Sequence, residues 1–214
     1  MKKDHLLSML WGLIPLMVLI ILISKESRTL FIELNRTHSL IMGFMKFFLL
    51  ASLGELLGRR LALGKWQFRN ISLFQRALVW GCFGYVFTFI FPLFSAGIEE
   101  LNRLGLLYQF VPMAFWKSFF INIVFAFPFM TLHKITDTLI DQKKLFSRWP
   151  LLSVWKKLDW DTQWKKVAPT ILWFWIPAHT ITFSLPPEYR ILLAAFLGIV
   201  LGIILSFFNA QKVE

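Results

Sequence analysis

Leu73-Phe-Gln-Arg76-Ala-Leu-Val-Trp80-Gly-Cys-Phe-Gly84-Tyr-Val-Phe-Thr-Phe-Ile-Phe-Pro92-Leu-Phe-Ser-Ala-Gly97 runs for some seven helical turns with Arg76 as its only charged side chain. A helix crossing a bilayer needs roughly 17 to 25 mostly apolar residues, because the hydrocarbon is about 30 Å thick and each residue rises about 1.5 Å. This stretch meets that requirement. Five others follow its pattern, so spans are expected near 6–24, 40–57, 73–97, 113–140, 168–185 and 191–208. The second and fourth carry charges of their own. Of the 214 residues 57% are hydrophobic and 24 are phenylalanine, a composition that makes a water-soluble fold a poor fit. The expected fold class is all-α: one integral membrane domain covering 1–214, a polytopic transmembrane helix bundle of about six spans.

The apolar run at the N-terminus follows Lys2 and Lys3 but is long and lacks a small-x-small cleavage site, so it reads as a retained anchor rather than a signal peptide. Cys82 is the single cysteine, which excludes an internal disulfide and any cysteine-based metal centre. The net charge of +11 raises the question of nucleic acid. Placement answers it. Outside the spans, 14 Lys and Arg belong to the termini and the even-numbered loops, against 5 in the odd-numbered loops. The positive-inside rule then puts both termini in the cytoplasm, and the basic excess is the mark of membrane orientation, with no nucleic-acid partner implied. Of the remaining cations, Arg76 and Lys134 lie near inner span ends, while Lys46 and Lys117 lie near outer ends where their stems could snorkel. The lipid bilayer is the expected partner, and a bacterial cytoplasmic membrane the expected location ahead of an organellar one.

Between the fourth and fifth spans, 147–166 holds Trp149, Trp155, Trp160 and Trp164 among lysines. Leu151, Leu152, Trp155 and Leu158 recur at helical spacing opposite Lys156 and Lys157, which predicts an amphipathic segment in the headgroup region. Pro186 and Pro187 impose a tight hairpin before the last span. Gly54 and Gly58, Gly81 and Gly84, and Gly198 and Gly202 make small-residue faces where helices can cross closely. Such faces suit packing within the chain and also a homo-oligomer.

Polar groups inside a span are costly unless paired or wetted, so they are the candidates for function. Glu55 and Arg59 are four apart on one helical face and predict an i,i+4 ion pair, or a charged lining to a polar path. His133, Asp137 and Asp141 form a stripe at spacing four, with Asn122 more than two turns earlier. That stripe could hold a cation, relay protons or simply form a solvated helix end; its spacing alone establishes no metal site. In the fifth span Pro177 frees the carbonyl four residues earlier, beside His179, Thr180 and Thr182, which could satisfy the break or face a water-filled cavity. Arg76 and Arg190 complete the set. No cofactor and no catalytic residue are expected.

At Trp175-Ile176-Pro177, Thr182-Phe183, Leu185-Pro186-Pro187-Glu188-Tyr189-Arg190 and Leu205-Ser206, the chain resembles the family of the peroxisomal membrane protein of twenty-two kilodaltons and its mitochondrial inner-membrane relatives. The family pattern there is Trp-Pro, Asn-Phe, Val-Pro-Leu-x-x-Arg and a terminal Leu-Ser. Upstream, Gly54-Glu55 resembles its Gly-Asp, and Arg76 with Gly81 and Gly84 its Arg leading to Gly-Pro, although Tyr85 stands in place of the proline. The family's Asn, and the Trp-Asn of its last helix, are missing, and 6–24 has no counterpart. The resemblance spans roughly 40–208. It implies an all-helical membrane bundle, a passage for small solutes or ions and no catalytic residues.

Two other functions use the same residues. A scaffold or assembly factor would need the helix faces and no pore. An intramembrane protease of the glutamate type would use Glu55 and Arg59 in Glu-x-x-x-Arg, Phe129 and His133 in Phe-x-x-x-His, and His133 and Asp137 in His-x-x-x-Asp, with Gly54 where a second glutamate belongs.

Overall fold

The structure, a computed structural model, describes residues 2–68 and 71–210, with side chains described over 4–68 and 71–204. Among the described residues every regular element is helical. In chain order they are α1 (Lys2–Ile21), α2 (Lys25–Thr37), α3 (Ser39–Leu63), α4 (Leu73–Arg103), α5 (Met113–Asp141), α6 (Leu151–Lys157), α7 (160–184) and α8 (Pro187–Ala210). Five helices, α1, α3, α4, α5 and α8, are long and apolar enough to cross a membrane.

Boundaries shift from the sequence expectation in ways that polar termini explain. α4 continues past Gly97 to Arg103, and α3 continues past Leu57 to the left-handed Gly64. Charged last turns stay helical because their carbonyls need the helix as much as apolar ones do. α2 lies in what reads as a loop. Ser24 caps it, accepting a bond from the Ser27 amide, and its Phe31 is buried. The fifth expected span, 168–185, corresponds to α7, which begins earlier, at 160, where Asp159 accepts a hydrogen bond from the Thr162 amide. α7 is helical throughout but interrupted by two π turns, and it is not among the five long apolar helices.

The glycine faces decide which helices touch. On Gly54 a Cβ would collide with the Gly198 carbonyl, and on Gly58 it would come within 2.6 Å of the Gly202 carbonyl, so α3 and α8 cross with backbones in contact. Gly43 and Gly84 do the same for α3 and α4, and Gly81 lies under the ring of Phe44. All six glycines expected to pack therefore meet another helix of the same chain. Backbones this close gain dispersion energy along the whole crossing, which holds the two helices together. Around it sits a core of Phe47, Leu50, Ala51, Trp80, Phe83, Phe87, Phe91, Ile121 and Ala195. α1 is peripheral, tied by Trp11 Nε1 donating to the Leu53 carbonyl at 2.9 Å. α6 packs Val154 and Leu158 on Ile135 and Leu139 of α5, leaving Leu151, Leu152 and Trp155 exposed.

Four π turns interrupt these helices: Phe47–Ala51 in α3, Asn122–Ala126 in α5, and Gln163–Val167 and Ile171–Trp175 in α7. Three of them end two residues before a proline, Pro128, Pro169 and Pro177. Proline lacks the amide proton for the carbonyl four residues back and its ring pushes that carbonyl away, which widens the preceding turn. Proline is not sufficient, since Pro15 and Pro92 lie within continuous α-helix.

Replacing Gly54 with valine is expected to destabilise the fold by about 1–3 kcal/mol, the usual range for overpacking a close contact. Gly97→Ala, where a Cβ meets nothing within 4 Å, leaves stability unchanged or slightly raised. Unfolding in mixed micelles, followed by circular dichroism, measures both.

Candidate functional site

Arg76 is the centre of the site. It enters on the first turn of α4, 2% exposed, and has a partner for each face of its guanidinium. Its Nε donates to the Ile71 carbonyl at 2.8 Å, and its Nη1 donates to Glu55 Oε1 of α3 at 2.7 Å and to Asp137 Oδ1 of α5 at 2.8 Å. Its Nη2 donates to Asp141. A planar guanidinium is suited to such a cluster because its five N–H donors fan out in one plane.

The expected Glu55–Arg59 pair is present, and the geometry adds partners that the sequence reading did not give. Glu55 and Arg59 do approach, but at 3.5 Å, and Glu55 makes its shorter bond to Arg76; its other oxygen accepts from Trp80 Nε1 at 3.2 Å. The stripe of His133, Asp137 and Asp141 is not simply a solvated helix end, because two of its members close on Arg76 from another helix. His133 stacks against Trp80 with ring centroids 4.5 Å apart, and its Nε2 is 3.9 Å from Asp137 Oδ1. Nor do Lys46 and Lys117 reach for water alone. Both are buried: Lys46 donates to Asn35 and sits 5.0 Å over the Phe31 ring, and Lys117 pairs with Glu99.

A second polar group lies between α5 and α7. Asn122 Nδ2 is 3.1 Å from His179 Nδ1 and also donates to the Trp175 carbonyl, at 3.4 Å, and to the Ser118 carbonyl at 2.8 Å. Ser118 Oγ donates to the Ile176 carbonyl at 2.6 Å. The backbone around Pro177 is thus satisfied partly by α5, not only by the threonines of its own helix. Thr180 and Thr182 bond back to the carbonyls of Ile176 and Ala178.

Both groups open on one cavity of about 450 Å³. Glu55, Arg59, Arg76, Asn122, His133, Asp137 and His179 all line it, together with Gly58, Gly198 and Gly202. Its lining reaches exposed Asp141 and Asp159 at one end. Beyond His179 stands Phe91, 5.6 Å from that imidazole and stacked on Phe183 at 5.0 Å. Each of the four π turns contributes to the lining, through Phe47, Asn122, Gln163 and Trp175 among others. A widened turn turns side chains off the regular helical stripe, which brings them to the cavity wall.

Thr180, Thr182 and Arg190 stand outside the cavity lining. Arg190 donates to the Leu185 carbonyl at 2.9 Å and to Ser95 Oγ at 3.3 Å, with its guanidinium 5.5 Å over Phe183. The side chains of Leu205 and Ser206 lie outside the described residues. Trp80, Ser118 and Gln163 belong to the site although nothing in their spacing singled them out, and Trp175 joins them, a residue noted only for its place in the family resemblance.

Donor atoms of Glu55, His133 and Asp137 come within 4.8 Å of one another, a spacing that could hold a metal ion. The guanidinium of Arg76 already bonds both carboxylates, so a tethered cation stands where an ion would. For hydrolysis of the protease kind, Glu55 and one histidine converge while His179 keeps to Asn122, Trp175 and Phe91. Comparison of the chain with known protein families, characterised proteins and solved structures returns no match.

Arg76→Leu would leave the half-buried carboxylates of Glu55 and Asp137 without their shortest-range counter-charge, and a loss of about 1–3 kcal/mol is expected. Adding Glu55→Gln and Asp137→Asn recovers more than half of that, since neutral amides carry a smaller burial penalty. Arg59→Leu changes stability by less than about 1 kcal/mol, as the pair is long and partly exposed. Titration with denaturing detergent ranks the variants.

Proposed function

We propose that this chain forms a channel-like pathway for small solutes or ions in a bacterial cytoplasmic membrane, with α7 as a sixth span and both termini on the cytoplasmic side. The observation that carries the reading is that polar side chains from α3, α4, α5 and α7, Glu55 through His179, face one cavity rather than four separate pairs. Maintaining such groups within a bundle is costly unless water or a solute shares the space, and intramembrane ionisable residues typically mark pathways for this reason. Scaffolding alone would call for no such convergence.

The cavity has its charged end beside the connections after α3 and α5, the ones rich in Lys and Arg. Orientation by positive charge therefore makes it open to the cytoplasm. At His179 the cavity wall is backed by Phe91, which stacks on Phe183. On this reading Phe91 and Phe183 would form the outer barrier, and passage would require them to separate. The resemblance to the family named above is in keeping with the same role.

Purified protein in proteoliposomes is expected to pass small solutes or ions above the level of empty liposomes, with Glu55→Gln and His179→Ala each changing the rate at least severalfold. Equal flux in protein-containing and empty vesicles, at every voltage and pH, would count decisively for a scaffold. Orientation is tested separately in a Cys82→Ala background. A cysteine replacing Arg103 is expected to react with impermeant maleimide in intact cells, and one replacing Lys144 only after permeabilisation; the reverse pattern overturns the topology.

A further inference from the structure

Charge in the interior of the cavity is balanced. Glu55 and Asp137 stand against Arg59 and Arg76, which bond them at 2.7 to 3.5 Å, and the other charged lining groups, Lys134, Asp141 and Asp159, are exposed at the rim. Solvent screens those three. An ion of either sign would therefore lose its hydration inside with no opposite charge left to meet it, a larger penalty than an uncharged polar group incurs.

Hydrogen-bonding capacity, by contrast, is left over. Among the described residues five buried side-chain polar atoms have no partner, and three of them belong to lining residues: the donors Arg59 Nε and Trp175 Nε1, and the acceptor Gln163 Oε1. Gln163 is 5% exposed and Trp175 8%. Buried polar atoms are almost always bonded, so their gathering on one cavity points to a ligand. Arg59 and Gln163 belong to the charged end, one turn from Glu55 and from Asp159, whereas Trp175 stands at the other, its ring 5.4 Å from that of His179. Twelve residues separate Gln163 from Trp175 along α7, at most about 18 Å at about 1.5 Å per residue. The rest of the wall is largely apolar, with Phe47, Phe87, Phe125 and Phe129.

We propose that this cavity binds an elongated, uncharged alcohol: a hydroxyl head at Arg59 and Gln163, an apolar body along the phenylalanines, and a second oxygen at Trp175. A hydroxyl both accepts and donates, so one such group takes the Arg59 Nε proton and gives its own to Gln163 Oε1. The far oxygen accepts from Trp175 Nε1. The volume of about 450 Å³ falls in the usual small-molecule range of roughly 300–1,000 Å³. A carboxylate would answer the two donors but not Gln163 Oε1, and would face Glu55 and Asp137. An ammonium has nothing to accept with, and the interior acids already bond Arg76. As a statement about the transported solute this rests on the pathway reading; as a binding site it stands apart, and the two are measured separately.

Titration calorimetry on the full chain in nanodiscs, with the heat of empty nanodiscs subtracted, tests the assignment with octane-1,8-diol, octan-1-ol, octanoate and octylammonium. Saturable binding of the diol is expected, severalfold tighter than octan-1-ol and at least tenfold tighter than either ion. Trp175→Phe should reduce the diol to the affinity of octan-1-ol and leave octan-1-ol unchanged, while Gln163→Leu weakens both severalfold. Each variant removes an atom that has no partner within the protein, so both are expected to keep the fold, as circular dichroism checks. Either ion binding as tightly as the diol, a diol no tighter than octan-1-ol, or diol binding that neither folded variant weakens would each overturn the proposal. So would the absence of saturable binding by any probe, which would leave water as the occupant. In proteoliposomes, diol binding without flux of any solute overturns the pathway and leaves the site; flux of other solutes without diol binding overturns the site and leaves the pathway.

Discussion

A guanidinium cannot be buried among apolar helices unless its charge and its donors are met there, and Arg76 sets that condition for the rest of the structure. Its partners come from three places: Glu55 on α3, Asp137 and Asp141 on α5, and the Ile71 carbonyl just before α4. Satisfying it therefore brings three helices to one point. The desolvation penalty for such a cluster can rival its Coulombic gain, so the cluster is better understood as specifying which helices meet than as a net source of stability.

Close helix contact and local helix distortion then shape the space above it. Where α3 crosses α8, glycine lets backbone rest on backbone, leaving little room between those two helices. Where α5 and α7 face one another, prolines open π turns that keep the helices from regular packing. The cavity arises from that difference. Ser118 and Asn122 bond carbonyls of α7 near Pro177, so the distortion is held by hydrogen bonds across the interface.

Much of the architecture was legible one residue at a time. Apolar length marked the five helices that are long and apolar enough to cross a membrane, and small residues three or four apart marked close crossings, because both are properties of a single helix. Seven of the ten polar candidates line the cavity, since the expense of a polar group in lipid is also a local property. Sequence spacing found the Glu55–Arg59 pair but not the partners that lay on another helix. The i,i+4 rule paired Glu55 with Arg59, whereas Arg76, distant in sequence, makes the shorter bond. Lys46 and Lys117 had the long stems that permit snorkelling, yet each lies near a polar side chain that binds it first. Trp80 and Gln163 gave no signal, because aromatic and amide side chains are ordinary on such helices until their neighbours are known.

By itself, then, the sequence determined an all-helical chain with several helices suited to a membrane, their glycine faces, and the set of polar residues that lipid would not tolerate alone. Hydrophobic length, residue size and the cost of burying charge are encoded within a turn or two of one helix. Only the tertiary structure decided that Glu55, Asp137 and Asp141 share one arginine, that His179 turns to Asn122, and that both groups border a common cavity. Those are relations between helices, set by crossings and π turns whose geometry no periodicity within a single segment contains.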